Sequence, residues 1–193
     1  MAKRDEAQEG EILEAASHIL SDEGAAALTV RRIAAGAGCS TMGIYSRFGG
    51  KDGVVDALYA EGFRSLCADM SQLARTDDPV EDLRQCELRY RAYALAHATH
   101  YMVMFGGAVP DFTPSQASKA LAHDAFANLV ANVQRCIDAG AFRGNAPELA
   151  HTLWSAMHGQ VMLELVGINP VGGDPDARYR DLVDTVLSGL QAR

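Results

Sequence analysis

The chain has 193 residues, 48% of them hydrophobic and 22% charged, with a formal net charge of -8, the balance of a soluble globular protein with one large domain or a small one joined to a larger. So acidic a chain excludes general adhesion to nucleic acid, and any contact with DNA must come from a local basic patch. No apolar run approaches the roughly 18 residues that a membrane span needs, and Cys39, Cys67, Cys86 and Cys136 match neither a CxxC metal pattern nor a disulfide framework.

The opening MAKRDEAQEGE is charged and lacks the apolar core of a signal peptide, which points to a cytoplasmic protein with reduced thiols. Residues 1 to about 8 read as a frayed polar start. From Gln8, the residues Ile12, Leu13, Ala16, Ile19 and Leu20 recur at helical spacing, and Gly24 suits the left-handed stop. Thr29 is a candidate N-cap for a second helix with Val30, Ile33, Ala34 and Ala37 inward, and Gly38 supplies the turn. Ser40 caps a third helix, Thr41 to about Arg47, which buries Ile44 and Phe48. At two turns it is stable only when docked on its predecessors. From Gly24 to Lys51 there is no Asp or Glu, whereas Arg31, Arg32, Arg47 and Lys51 all fall there. This segregation of charge favours one face meeting phosphate.

A long fourth helix is expected from Lys51 to about Arg75. Asp78 and Pro79 start a fifth, with Leu83, Cys86, Tyr90, Tyr93, Ala94 and His97 on its apolar side. The chain is markedly apolar from His97 to Phe105 and breaks at Gly106-Gly107. A further helix is read from about Pro114 to Ala139, burying Leu121, Phe126, Leu129, Val130, Val133 and Ile137. The next, starting at Asn145-Ala146-Pro147 and reaching about Val166, is apolar almost all round and must be covered on all sides. Asn169 to Pro175 reads as a loop, and the last helix runs from about Asp176 to Gln191. With no strand pattern and no internal repeat, the fold class is all-α with about nine helices. The domains expected are a helix-turn-helix over residues 1–51 and a helical body over 52–193.

The run LTVRRIAAGAGCSTMGIYSRFGGKDGVVDALY, with the preceding helix that holds Ile12, Ala15, Ala16 and Leu20 and ends at Gly24, resembles the tetracycline-repressor (TetR) family of bacterial transcription regulators. The likeness spans roughly residues 8 to 60. Trp154-Ser155-Ala156-Met157-His158-Gly159 also looks like a segment found in one branch of that family. The resemblance implies that helix three enters the major groove, while the starts of helices two and four clamp phosphates. Carried over by position, Thr41, Met42 and Gly43 face base edges, and Tyr45 and Arg47 contact phosphate. Thr29, Arg31 and Lys51 fall at backbone-contacting positions, Arg31 within reach of a base, and Ser40 and Ser46 complete the DNA-facing set. Helix starts favour phosphate through free N–H groups and the helix dipole, and Arg is the commonest reader of guanine. Ser46 stands where the family often has a larger side chain. Gly36 and Gly49-Gly50 are softer than the family pattern, and together the three departures imply a mobile reading head.

The family body encloses a small-molecule pocket, and Met and aromatic side chains suit an adaptable apolar cavity. The candidate lining is Tyr101, Met102, Phe105, Phe126, Trp154, Met157, His158 and Met162, for a small hydrophobic effector. A homodimer is expected through Leu153, Val161, Leu165, Tyr179, Leu182, Val183, Val186, Leu187 and Leu190, matching palindromic half-sites in operator DNA about 34–36 Å apart. His97 and His100 have helical spacing but no third ligand nearby, so neither a metal site nor a cofactor is expected. The absence of GxSxG, P-loop and GxGxxG patterns and of any clustered acid–base pair argues against an enzyme. Two readings remain, a ligand-controlled dimeric repressor and an effector-independent DNA-binding regulator whose body is only a dimer scaffold.

Overall fold

The computed structural model describes residues 2–168 and 172–191, so the loop expected from Asn169 lies partly outside the described residues. Within them there are nine α-helices and no strand: α1 (Ala2–Glu23), α2 (Val30–Gly36), α3 (Thr41–Phe48), α4 (Lys51–Met70), α5 (Pro79–Ala96), α6 (Ala98–Phe105), α7 (Gln116–Asp138), α8 (Ala146–Leu165) and α9 (Pro175–Leu190). The helix starts follow side chains that stop a backbone N–H from being orphaned. Thr29 accepts from Arg32 N–H, Ser40 from Gly43 N–H, Asp78 from Val80 and Glu81, Asn145 from Glu148, and Asp174 from Asp176.

Several boundaries depart from the sequence reading. Helix α1 begins at Ala2 rather than near Gln8, because its first turns are strong helix formers with Asp5 near the positive end of the dipole. Helix α4 ends at Met70, not near Arg75. Ser71 Oγ and the Gln72 amide there fold back onto the Ala68 carbonyl, and Gln72 and Leu73 N–H make tight three-residue bonds that replace the α ladder. His97 is exposed at the end of α5, and the apolar side of α7 is only half-buried apart from Val133 and Cys136.

Packing divides the chain into two compact units, Met1–Arg64 with Thr99–Ala122, and Ser65–Ala98 with His123–Arg193. In the first, α1 buries Ile12, Ala16, Ile19 and Leu20 in a core shared with Ile33 of α2, Ile44 of α3, and Val54, Val55 and Leu58 of α4. Phe63 of α4 packs edge-on with Phe105, and Tyr59 lies tilted against Phe63 and Phe112. The Asp56 carboxylate accepts Ser115 N–H and Ser118 Oγ–H, each at 2.8 Å, and so caps the start of α7. The core of the second unit is formed by Leu83, Tyr90 and Tyr93 of α5, Leu153, Met157 and Val161 of α8, and Tyr179, Val183 and Leu187 of α9. Each such large side chain contributes about 1.5–3 kcal/mol by leaving water. Arg91 ties the three helices together through Glu164, at 2.9–3.1 Å, and Asp176, at 2.9 Å, its guanidinium lying over the Tyr179 ring.

Candidate nucleic-acid interface

Two short helices and a tight turn carry the interface. Gly38 takes a left-handed φ of 61° between them, and Cys39 N–H closes on the Ala34 carbonyl at 3.0 Å. The 3.6-residue period of α3 turns Ile44 fully inward and leaves Thr41, Met42, Tyr45 and Ser46 on the opposite side. Met42 is 73% exposed and Tyr45 55%. Two large apolar side chains held in water on one face of a two-turn helix mark a surface made to be covered. Gly43 is half-buried and its N–H is taken by Ser40 Oγ at 3.1 Å, so Ser40 and Gly43 shape the helix start. Ser46 Oγ returns to the Gly43 carbonyl at 3.0 Å.

The four basic side chains divide into two kinds. Arg32 pairs with Glu23. Arg47 reaches Asp5 at 3.2 Å, Gln8 at 2.7 Å and the Gly43 carbonyl at 3.3 Å, so α1 engages the guanidinium expected to meet phosphate. Arg31, exposed, and Lys51, half-exposed at the first position of α4, have no ion-pair partner among the described residues. Thr29 is exposed at the start of α2, its hydroxyl accepting from Arg32 N–H at 3.3 Å.

The glycines flanking α3 stand at positions whose backbone geometry calls for glycine. Gly49 holds the left-handed residue that ends α3, with φ 73°, and Gly50 follows at φ 137° against the Tyr45 ring. A Cβ on Gly53 would stand 1.7 Å from the Phe48 carbonyl oxygen, so the first turn of α4 can approach the end of α3 only with glycine there. Gly36 similarly lets α2 close on Ala15, where a Cβ would meet the alanine methyl at 3.1 Å.

The candidate effector residues fall into both units. Tyr101, Met102 and Phe105 belong to the first, where Phe105 lines a cleft of about 200 Å³ with Tyr59, Val103, Met104, Val109 and Phe112. Tyr101 is fully buried. Phe126, Trp154, Met157, His158 and Met162 belong to the second. Trp154 Nε1–H donates to Tyr90 Oη at 3.2 Å, His158 Nδ1 lies 3.5 Å from the same oxygen, and Phe126 packs 6.1 Å from Trp154. Burial holds His158 below the usual histidine range. Met157 is fully buried.

The candidate dimer set needs correction. Leu153, Val161, Tyr179, Val183 and Leu187 are buried inside the single chain, at 2% exposure or less. They form its own core and are not available to a partner. Leu165, Leu182, Val186 and Leu190 remain half-exposed, and Leu163, Val166 and Ile168, which the sequence reading left out of that set, are exposed at the end of α8. The helix expected to be covered on every side is therefore bare along one side of its last turns. Among the described residues no three His, Cys, Asp or Glu side chains gather to hold a metal ion, and no helix is long and apolar enough to cross a membrane.

Comparison with known families adds a second line. A model of tetracyclin repressor-like C-terminal domains matches residues 83–186, more than half of the chain, and a model of bacterial regulatory proteins of the tetR family matches residues 12–58. The chain belongs to the TetR family. It is a transcription regulator with a DNA-binding helix-turn-helix domain and a helical C-terminal domain. Similar folds occur in a protein of unknown function from Rhodococcus sp. RHA1, at 23% identity, TM-score 0.83 and 96% coverage of both chains. PfmR, a TetR family transcriptional regulator from Thermus thermophilus, is 22% identical with TM-score 0.72, covering 94% of this chain and 99% of its own. The ketosteroid transcriptional regulator KstR2 of Mycobacterium tuberculosis is 22% identical with TM-score 0.65, covering 96% and 95%. No curated protein matches the chain.

Sequence reasoning missed Asp5 and Gln8 as partners of Arg47, since a contact spanning some forty residues leaves no local pattern. It also passed over Glu87, which sits inside the apolar stripe between Leu83 and Tyr90 and is buried. Its place on the stripe was the available signal.

Proposed function

We propose that this TetR-family chain is a ligand-responsive dimeric repressor of a near-palindromic operator. Residues 1–51 serve as the DNA-binding domain, and residues 52–193, with α4 as the link, as the effector and dimerisation domain. The observation that carries the reading is the outward face of α3, with Thr41, Met42 and Tyr45 in water, in a stretch whose cations Arg31 and Lys51 have no ion-pair partner among the described residues. Thr41, Met42 and Gly43 meet base edges by van der Waals contact and weak hydrogen bonds. Thr29, Arg31, Tyr45, Ser46 and Lys51 meet phosphate, and Arg47 joins them only by exchanging Asp5 for a phosphate oxygen. Ser40 presets the helix.

An apolar effector held by the body shifts α4 and changes the separation of the two heads. Ligand and operator are then reciprocally coupled, typically by about 1–3 kcal/mol. Two copies meet through the half-exposed Leu165, Leu182, Val186 and Leu190 together with the exposed end of α8. Replacing Leu182 and Val186 by Glu yields monomers by sedimentation, and an intact dimer would place the interface elsewhere.

Fluorescence anisotropy with the chain's own promoter DNA tests the reading. Binding is sequence-specific and falls steeply with salt. Thr41→Ala alters sequence preference, whereas Lys51→Ala weakens all duplexes alike. Equal affinity for the promoter and for scrambled duplex would sink the regulator assignment. Failure of every hydrophobic ligand in a thermal-shift screen to release the DNA would favour a body that is only a dimer scaffold.

A further inference from the structure

The side chains that single out a base by hydrogen bonding are Arg and Lys for guanine, Asn and Gln for adenine, and Asp and Glu for cytosine. The exposed side chains of α3 are Thr41, Met42, Tyr45 and Ser46, and none is of those types. The one guanidinium on the helix, Arg47, is half-buried and bonded to Asp5, Gln8 and the Gly43 carbonyl. Ser46 donates its hydroxyl proton to the Gly43 carbonyl at 3.0 Å, and Ser40 Oγ accepts the Gly43 N–H at 3.1 Å. What the start of α3 offers a base is therefore apolar. Met42, at 73%, is the most exposed large hydrophobic side chain among the described residues, and Thr41 beside it is exposed with a γ-methyl. The apolar group that a base edge shows in the major groove is the C5-methyl of thymine. A flexible, polarisable thioether chain fits against such a methyl, and covering both removes apolar surface from water.

Gly43 supplies an independent observation. It lies inside α3, and a Cβ there would meet only Arg47 Nη1 at 3.5 Å and Ser40 Oγ at 3.6 Å, both ordinary contacts. Gly36 and Gly53 differ, since a Cβ would press on the Ala15 methyl at the first and overlap the Phe48 carbonyl at the second. Glycine inside a helix is destabilising relative to alanine, and packing within the chain does not call for this one. A backbone without a side chain at that point lets α3 come close to a ligand. Close approach is what the short Thr41 side chain needs in order to touch a base.

We propose that Thr41 and Met42 recognise thymine by its C5-methyl, so that the operator presents thymine methyls to the start of α3. This rests on the DNA-binding reading above and names the base chemistry that it selects. A G·C pair in that place would bring guanine O6 and N7, or the cytosine amino group, against apolar atoms. Those groups would lose water without gaining a partner, and the pair is rejected on that account. Each thymine methyl that is covered, about the equivalent of one buried methylene, contributes roughly fourfold in affinity.

Promoter DNA amplified with dUTP in place of dTTP tests the proposal, because uracil keeps every hydrogen-bonding group of thymine and lacks only the methyl. By fluorescence anisotropy the full-length chain binds the uracil duplex at least about tenfold more weakly, as expected for two or more lost methyls. A variant carrying both Thr41→Ser and Met42→Ala binds the two duplexes within about twofold of each other. Both positions are exposed, so the variant keeps its fold. Gly43→Ala raises the melting temperature and weakens promoter binding at least about fivefold. Equal wild-type affinity for the thymine and uracil duplexes would overturn the proposal. So would a uracil penalty undiminished in the double variant, since the methyls would then act elsewhere or through DNA shape. Wild-type affinity in Gly43→Ala would remove the close approach on which the contact depends. The two readings fail separately. Preference for promoter over scrambled duplex, with no loss on the uracil form, leaves the regulator and removes thymine recognition. Equal affinity for promoter and scrambled duplex removes the regulator itself.

Discussion

The cations of the two units are used in opposite ways. Around α2 and α3, Arg31 and Lys51 face no carboxylate among the described residues, in a stretch from Gly24 to Lys51 that contains no acid. On α5 every arginine already meets an acid, and the acid left without a partner among the described residues is Glu87, buried. The first arrangement leaves positive charge for a polyanion outside the protein, where phosphate supplies the missing partner. The second consumes positive charge internally and leaves one buried acid unmatched. The largest expected effect comes from breaking the internal cluster. Arg91 and Glu164 are only 12% and 11% exposed at the side chain, so Arg91→Met leaves a nearly buried carboxylate with no cation and only the Gln160 amide to donate to it, and lowers stability by roughly 3–5 kcal/mol in urea unfolding. A loss below about 1 kcal/mol, the value of an exposed pair, would show that water reaches the cluster and would weaken the contrast.

Glu87 gives the next largest effect, and its sign follows from proton counting. Folding raises this carboxyl from about 4.5 to about 8, so between those values the folded chain binds a proton that the unfolded chain does not. The contribution to stability is fully present below pH 4.5, falls by about 1.4 kcal/mol per pH unit as pH rises, and levels off above pH 8. Glu87→Gln removes that component. Its stability relative to wild type therefore rises from pH 5 to pH 8, as read by urea midpoints at each pH. Parallel curves for the two proteins would mean that the carboxyl already has a partner or is open to water.

How far each half of this contrast could be read from the sequence depends on the range of the interaction. The caps Thr29, Ser40, Asp78 and Asn145, the inward Ile44 and the outward Tyr45 were legible, because capping and helical periodicity act within four residues. The acid-free window was legible as composition. What was lost is long-range. The apolar stripe of α9 predicts a face without saying which side chains one chain covers by itself, and Val183 and Leu187, expected at a partner, are core. Gly53 was silent, since the need for it is set by the approach of α4 to the Phe48 carbonyl. In the sequence Arg47 is indistinguishable from Arg31, and only the extension of α1 back to Ala2 brings Asp5 and Gln8 against it.

Arg32 and Lys51 sharpen the outward half of the contrast at a smaller scale. Lys51→Ala lowers affinity for all duplexes and reduces the slope of log affinity against log salt by about 0.9, the signature of one lost phosphate contact. Arg32, already paired with Glu23, gives no such change as Arg32→Ala. The same salt titration by anisotropy checks both. Equal slopes for the two variants would mean that pairing within the chain does not decide which cation meets DNA.

Arg47 lies between the two cases, and the smallest effect tests it. Its guanidinium is tied to a partly exposed Asp5 and more closely to Gln8, and an exposed ion pair contributes at most about 1 kcal/mol. A phosphate oxygen can therefore displace Asp5 at little cost while Gln8 keeps the side chain extended. In that event Asp5 is a competitor for the DNA site, and Asp5→Asn tightens operator binding by roughly two- to fivefold, within the energy of such a pair. Because the released guanidinium displaces a counterion from DNA, the salt dependence also steepens in the Asn variant if wild-type binding leaves the pair intact. If Arg47 acts only as a strut that holds α3 on α1, removing the Asp5 charge loosens the helix, weakens binding and leaves the salt slope unaltered. Those outcomes differ in sign, so one titration separates a cation that belongs to the DNA surface from one that belongs to the fold.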